Sequence, residues 1–475
     1  MEESYSTDQN YTNPMVSKPE TEEQIRFSKF SPLRTLIQLS IGPLVFQLGI
    51  AIHDALDLYM ISKAFKGDSI QIVGFASLVR YLSMSFSIFF SQACVARIST
   101  LIGEGNFGQA SQVVADLYCI SFISMIFVSI VFYFLTPFIM IFMGCTNEMS
   151  YQAREYLLPI LVSIPVISLF QLSCGVLLAV GRSFLSGIVQ FAAFTLNIGI
   201  FAPILFFYFK IPFKYCGIAF ALSQAIPGII MTAIVFSNGF NIEIRFSQLF
   251  CKPSTDTIMG MKQAAPYILS VFSGAIPPMV LINFIMRSAA SQGIIDSVAK
   301  ILSVLFKLQA IVNSFSIGIG QGFLSSGNFA SGSKNNNRLL SLFTDAIIIT
   351  FLLQMVFLPF FLLESSLITG IWLRKEYLQI SAKYLKIPFF TNWLTSINEI
   401  TTNFLLTQTL NKKAIIPSVS RSILFLAGSF TLYYTNKNDS KRMMYEYCIN
   451  DIGVLLVDII LIISPLSSVV SNKCK

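Results

Sequence analysis

Three ionisable residues, His53, Asp54 and Asp57, lie together in an otherwise apolar stretch of the sequence. In a helix, residues four apart lie on the same face, so the side chains of His53 and Asp57 would be neighbours. Asp54 adds a second negative charge beside Asp57, and paired acids away from water are typical of sites that bind protons or cations. The same residues would be solvated if they lay near the helix end, since Lys63 follows Asp57 within two turns.

A second group of ionisable residues comes from three separate apolar stretches and comprises Lys307, Glu399 and Asp458. An ionisable group inside a membrane helix costs roughly a few kcal/mol, so each is a candidate for a functional site. One or both acids could form a structural ion pair with Lys307, or the group could bind a cation or a proton that alternates with a substrate. For Glu399 we favour the functional interpretation, and for Asp458 and Lys307 the structural one.

The composition requires that most of the chain be covered by lipid. Apolar residues make up 54% of the 475 residues and charged residues only 12%, against roughly 25% charged in soluble domains. Because lipid admits only elements that satisfy their own backbone hydrogen bonds, apolar stretches of about 20 residues predict membrane-spanning helices. The sequence therefore predicts an all-α, polytopic membrane protein, in the plasma membrane or an internal membrane.

Twelve spans meet this criterion and are separated by short connections. They are residues 36–62, 71–97, 113–143, 156–180, 187–208, 216–237, 264–286, 298–326, 339–363, 385–409, 414–435 and 447–470. Residues 1–35 are polar and are predicted to be a disordered tail.

The two halves of the sequence resemble each other. Ser316-Ile317 follows Ser87-Ile88 at a spacing of 229 residues, and Glu376 follows Glu148 at 228. A nearly constant offset predicts two pseudo-symmetric lobes of six helices, residues 36–240 and 264–475, joined by a linker at 241–263. Two such bundles around a midline cleft are a common transporter architecture.

Several classes of protein are excluded by what the sequence lacks. It has no phosphate-binding loop, no HExxH and no G-x-S-x-G, so neither a nucleotide-driven pump nor a known intramembrane enzyme is indicated. His53 is the single histidine and there is no CxxC, so we predict no metal site and no cofactor. The net charge of +8 comes from Lys and Arg scattered in loops, which does not indicate nucleic-acid binding.

With these residues established, the chain resembles the multidrug and toxin extrusion (MATE) family. The resemblance rests on the order and spacing of five short stretches, Gly42-Pro43, His53-Asp54-Ala55-Leu56-Asp57, Leu101–Asn106, Leu178–Ser183 and Gly217–Ala221. It implies a twelve-helix, two-lobe exporter driven by inward H⁺ or Na⁺. It also implies that Asp57 and Asn197 form a protonation site and that Glu399 matches the acid of helix ten.

The sequence departs from the family pattern in places that bear on coupling. The acid often found four residues after the helix-five Asn is replaced by Phe201, and helix seven carries no Glu. Pro43 removes a backbone hydrogen bond from helix one and could act as a hinge that links ion binding at Asp57 to bending of the helix. Pro277-Pro278 is expected to break helix seven in a similar way.

We therefore expect a monomeric secondary transporter that exports organic, cationic or amphipathic compounds by antiport with H⁺ or Na⁺. The ion-coupling residues would be Asp57, Asp54, Asn197 and Glu399, supported by His53, Pro43, Lys307 and Asp458. One alternative is a lipid or lipid-linked oligosaccharide flippase, which would need a basic cavity for phosphate; Arg80, Lys307 and Arg421 are the only mid-helix cations. Another is a receptor or scaffold that transports nothing.

Overall fold

The computed structural model describes residues 30–65, 68–103, 106–180, 182–237, 248–249, 252–332, 335–408, 410–435, 437 and 439–471. Most of the predicted tail, at 1–29, and much of the predicted linker, at 241–247 and 250–251, lie outside these residues. So does Gly181 in one of the stretches that resemble the family.

Twelve helical spans follow one another, as predicted. They are α1 Pro32–Ala64, α2 Ser69–Gly103, α3 Phe107–Phe142, α4 Asn147–Ala179, α5 Ser183–Leu196, α6 Gly217–Phe236, α7 Thr255–Ser291, α8 Ile295–Gly332, α9 Asn336–Leu363, α10 in two segments (Leu378–Thr391 and Trp393–Thr407), α11 Asn411–Thr435 and α12 Tyr445–Ser471. A short helix, Ser365–Thr369, precedes α10.

Ten helices in the described part of the chain are long and apolar enough to cross a membrane. Of the two spans outside this set, α8 carries Lys307 in its interior, and α10 is divided at Asn392 into segments too short to span alone. The chain is a multi-pass membrane protein.

Helix packing shows the internal repeat as a pseudo-twofold arrangement. In the first lobe, α1 packs on α5 and α2 packs on α4. In the second lobe, the helices six places later pack in the same way, α7 on α11 and α8 on α10. Between the lobes, α1 packs on α8 and α2 packs on α7. These two contacts are equivalent, because α7 is the counterpart of α1 and α8 is the counterpart of α2. The chain therefore has the two six-helix lobes that the repeat predicted.

The lobes approach closely at the membrane face where α1 begins, here called the N-terminal face. A methyl group added at Gly322 of α8 would lie 2.7 Å from Cα of Ser40 in α1, and one added at Gly260 of α7 would lie 2.8 Å from the carbonyl oxygen of Ala93 in α2. These glycines allow the backbones of opposite lobes to touch.

The lobes also meet at the other membrane face, here called the distal face. A methyl group at Gly74 of α2 would lie 2.1 Å from Oγ of Ser303 in α8, and one at Gly144 would lie 2.8 Å from Cβ of Met286 in α7. The two lobes are therefore in contact near both membrane faces.

The helices that contain Pro43 and Pro277-Pro278 are continuous, whereas two other helices are irregular. The prediction that Pro277-Pro278 breaks helix seven is wrong, because α7 continues through both residues. Pro43 also lies inside the unbroken α1. In contrast, α5 widens into π-helical turns from Asn197, and α10 is interrupted at Asn392, a residue not singled out from the sequence.

Candidate ion-coupling and substrate site

Asp54 lies at the centre of a charged cluster that joins the two lobes. Nη2 of Arg80, on α2 of the same lobe, donates to Oδ1 of Asp54 at 2.6 Å. Nζ of Lys307, on α8 of the opposite lobe, donates to Oδ2 at 3.4 Å. Nδ1 of His53 lies 3.2 Å from Oδ1. One carboxylate of α1 is therefore held by cations from both lobes.

His53 connects this cluster to α5. Its Nε2 lies 2.6 Å from Nδ2 of Asn197, which is fully buried at the point where α5 becomes π-helical. The imidazole ring also packs between Phe194 and Phe220, with ring centroids at 5.1 and 5.5 Å. Asn197 of helix five is thus joined to helix one through His53, and not through Asp57, the residue that the resemblance paired with it.

Asp57 lies one turn after His53 on α1 and is 5% exposed. The solvated-end alternative for this stretch is therefore wrong. Its carboxylate lies within electrostatic range of His53, Arg80 and Lys307. The buried side chains of Tyr156 and Cys216 lie on its first-lobe side. Asp57 is thus a buried acid beside, rather than within, the ion-paired cluster.

The charges of this cluster balance. If Asp54 and Asp57 are ionised and His53 is neutral, the two negative charges are matched by Arg80 and Lys307. Uptake of one monovalent cation or proton at Asp57 would give the cluster a charge of +1. In a medium of low dielectric such a change acts strongly on neighbouring charges.

Lys307 does not pair with Glu399 or Asp458, so that expectation is wrong. Its partner is Asp54, because α8 packs along α1 and points Lys307 across the lobe interface. Asp458 accepts a hydrogen bond from Nδ2 of Asn398 at 2.8 Å, and Asn398 in turn accepts one from Arg421 at 2.8 Å. Lys307 thus belongs to the α1 cluster, whereas Glu399 and Asp458 both lie within electrostatic range of Arg421.

Glu399 lies on the second segment of α10 at the lobe interface. It accepts a hydrogen bond from Nδ2 of Asn403 at 3.3 Å and packs against Gly320 of α8. Tyr81 of α2 and Tyr267 of α7 lie within electrostatic range of its carboxylate. An acid flanked by aromatic rings from both lobes suits a lipophilic cation, since ring faces attract positive charge.

Arg80 and Tyr81 are adjacent on α2 and serve different parts of the interface. Arg80 binds Asp54 and stacks on Phe220 at 4.7 Å, while Tyr81 lies within electrostatic range of Glu399. Sequence reasoning noted Arg80 only as a mid-helix cation and missed Tyr81. The sole available signal was an arginine inside an apolar helix, which requires a partner without revealing which one.

Among the described residues no three His, Cys, Asp or Glu side chains converge as a metal site would require. A cavity of about 520 Å³ opens at the distal face and is lined by Phe65, Asp68, Glu148, Tyr151 and Phe213 among others. It does not include the buried clusters.

Comparisons with known proteins agree with this geometry. The sequence model of the MatE family matches residues 44–204. No curated protein matches the chain.

Solved structures match over nearly the whole length. The outward-facing form of a multidrug resistance MATE transporter of the MOP superfamily has a TM-score of 0.81 at 16% identity, covering 95% of this chain and 99% of that one. Its inward-facing counterpart has a TM-score of 0.75 at 15% identity, with coverage of 93% and 99%. A MOP superfamily transporter from Pyrococcus furiosus, for which a binding pocket of reversed polarity is described, has a TM-score of 0.80 at 16% identity, with coverage of 96% and 100%.

The order of the helices and their arrangement in two lobes thus agree with the comparisons. The resemblance to the MATE family is confirmed, because residues 44–204 match the MatE family and the chain as a whole has the fold of MATE transporters.

Proposed function

We propose that this chain is a secondary active transporter that exports organic, cationic or amphipathic compounds by antiport with H⁺ or Na⁺, working as a monomer. The MATE fold and the MatE match support an efflux transporter in a membrane. The observation that carries the proposal is the binding of Asp54 on α1 by Arg80 of its own lobe and by Lys307 of the other. An interface held by such a charge pair can be opened by changing the charge beside it.

The mechanism separates the ion from the substrate. The ion binds at Asp57, and the organic cation binds at the lobe interface near Glu399, Tyr81 and Tyr267. Ion uptake makes the α1 cluster positive and weakens its hold on Lys307, which loosens the lobe interface where the organic cation binds. A ligand shifts a conformational equilibrium only by its difference in affinity for the two states, and the loss of this inter-lobe attraction supplies such a difference.

The flippase alternative gains no support from these contacts. It requires cations that are available to a phosphate group. Arg80 and Lys307 are both engaged by Asp54, and Arg421 donates to Asn398. An enzymatic function gains none either, because the matched family consists of transporters.

The test is gradient-driven efflux of a fluorescent organic cation from proteoliposomes. We expect Asp57→Asn to abolish efflux driven by the ion gradient while leaving insertion intact, and Glu399→Gln to weaken substrate binding. Glu364→Gln, at the end of α9 and away from both clusters, is the matched control. Wild-type efflux from both the Asp57 and the Glu399 variants would overturn the proposal.

A further inference from the structure

A row of acids on α12, of which Glu446 and Asp458 are buried, remains outside the cluster just described. Glu446, Asp451 and Asp458 follow one another from the first turn of the helix at the distal face towards its middle. Glu446 is fully buried and Asp458 is 1% exposed. At 1.5 Å per residue, Asp451 lies about 7.5 Å beyond Glu446 along the helix, and Asp458 about 10.5 Å beyond Asp451.

Several oxygens of this row have no partner. Both carboxylate oxygens of Glu446, and Oδ1 of Asp458, are buried without a hydrogen bond in the described part of the chain. Glu446 packs against the backbone of α11, since a methyl group at Gly428 would lie 2.1 Å from its Oε2. A buried, unpartnered carboxylate is costly in its charged form unless something neutralises it.

The surroundings of the row contain too little positive charge. Arg421 of α11 lies within electrostatic range of Asp451, Asp458 and Glu399. One guanidinium thus faces three carboxylates, and two negative charges remain to be neutralised, with Glu446 beyond them. The other titratable groups that face the row among the described residues are Tyr447 and Cys448, which bring no positive charge.

The contacts favour a proton over a metal ion as the neutralising species. Oδ2 of Asp458 accepts from the amide of Asn398, and Oδ2 of Asp451 accepts from the hydroxyl of Thr391, both at 2.8 Å. A hard cation such as Na⁺ or Ca²⁺ needs several oxygen ligands turned towards it. Here the neighbours present hydrogens instead, which suits a single acid that gains or loses a proton.

We propose that Glu446, Asp451 and Asp458 form a proton-binding row in the second lobe, reached from the distal face, with Asp458 as its innermost acceptor. A proton from water adds to a carboxylate oxygen of Asp458, and the same O–H bond breaks when the proton leaves. Proton binding by this row does not depend on the function proposed above. The effect of that proton on substrate binding does rest on the proposed function. When Asp458 is neutral, the positive charge of Arg421 is no longer shared with it and acts more fully on Glu399. Glu399 then attracts an organic cation less strongly.

The break in α10 supplies a reporter for this row. Trp393 begins the second segment of α10, two residues after Thr391, and the chain has only two tryptophans. Discontinuous helices are frequent at the binding sites of transporters because they can change shape when a ligand binds. In a Trp372→Phe background, Trp393, whose ring packs against Phe351 of α9 at 5.4 Å, reports on movement of α10, which carries Thr391 and Asn398 against the row.

The experiment is a pH titration of Trp393 fluorescence in purified protein, with choline and then Na⁺ as the only cation. We expect a single transition that Asp458→Asn abolishes and Asp451→Asn shifts, whereas Asp439→Asn, an exposed acid just before α12, leaves it unchanged. If Asp458→Asn fails to fold, Asn398→Ser replaces it. Loss of that amide donor should move the midpoint by roughly tenfold in proton concentration, towards higher pH.

Two outcomes would overturn the proposal. One is a pH transition whose midpoint stays at the wild-type value in every variant, namely in Asp451→Asn and in Asp458→Asn (or in Asn398→Ser, if that variant replaces it). The other is a transition set by Na⁺ concentration at constant pH. The effect on substrate is read separately, from binding of tetraphenylphosphonium. In the wild-type protein its affinity should decrease as the pH is lowered, and in Asp458→Asn it should not depend on pH. If nothing binds, the proposed function fails, and the fluorescence titration still tests whether the row binds a proton.

Discussion

Glycine contacts at the two membrane faces predict that the protein can be opened selectively towards either side. Gly74→Ala places a methyl group 2.1 Å from Oγ of Ser303, and ordinary contact begins at 3.4 Å, so α2 and α8 must separate by about 1.3 Å at the distal face. Overpacking of this kind costs about 1–3 kcal/mol. The closed arrangement at that face should therefore be disfavoured roughly 5- to 150-fold.

Gly260→Ala is the counterpart at the N-terminal face. Its methyl group would lie 2.8 Å from the carbonyl oxygen of Ala93, which requires a separation of only about 0.6 Å. We expect opening towards the N-terminal face, with an effect nearer the lower end of the same range.

The assay is labelling of Tyr81→Cys, on a background without native cysteines, by a membrane-impermeant maleimide applied from each side. Residue 81 lies between the two contacts on α2, beside Glu399. Gly74→Ala should speed labelling from the distal face and Gly260→Ala from the N-terminal face. Gly274→Ala on α7, where a methyl group meets nothing within 4 Å, should change neither. If Gly74→Ala instead speeds labelling from the N-terminal face, the contacts at Gly74 and Gly260 do not close opposite faces of the protein, and the reasoning is refuted.

Two further predictions concern the α1 cluster. Lys307→Met leaves Asp54 with only its first-lobe partners, Arg80 and His53, so a double-mutant cycle with Asp54→Asn should show a coupling of about 0.5–3 kcal/mol in thermal unfolding in detergent; strictly additive effects would mean that the inter-lobe pair contributes nothing. Asn197→Ala removes the 2.6 Å partner of His53 and leaves a buried ring nitrogen unsatisfied, at a cost of about 1–3 kcal/mol. An unchanged unfolding temperature would contradict that assignment.

The sequence predicted the helices and the lobes well because both depend on local patterns. Each span of about twenty apolar residues became a helix, since lipid permits little else. The constant offset between Ser87 and Ser316 places both residues on equivalent helices, α2 and α8. The division of helix ten at Asn392 was not foreseen, although Pro388 lies four residues before it in the first segment.

The site was only partly predictable because its key contacts join distant parts of the chain. Asp54 and Lys307 are 253 residues apart, and nothing in their local sequences favours this pair over Lys307 with Glu399. Asp57 could be placed on the face of His53 from helical spacing alone. The partners of Asp458 and the role of Asp451 depend on how α10, α11 and α12 pack, which periodicity does not specify.

The most direct test of the transport mechanism is export of a fluorescent organic cation by the wild-type protein in liposomes, driven first by a H⁺ gradient and then by a Na⁺ gradient. The mechanism predicts accumulation against the substrate gradient with at least one of the two ions, and its collapse when that ion gradient is dissipated. Substrate movement that depends on neither gradient, or no movement at all in correctly inserted protein, would contradict it.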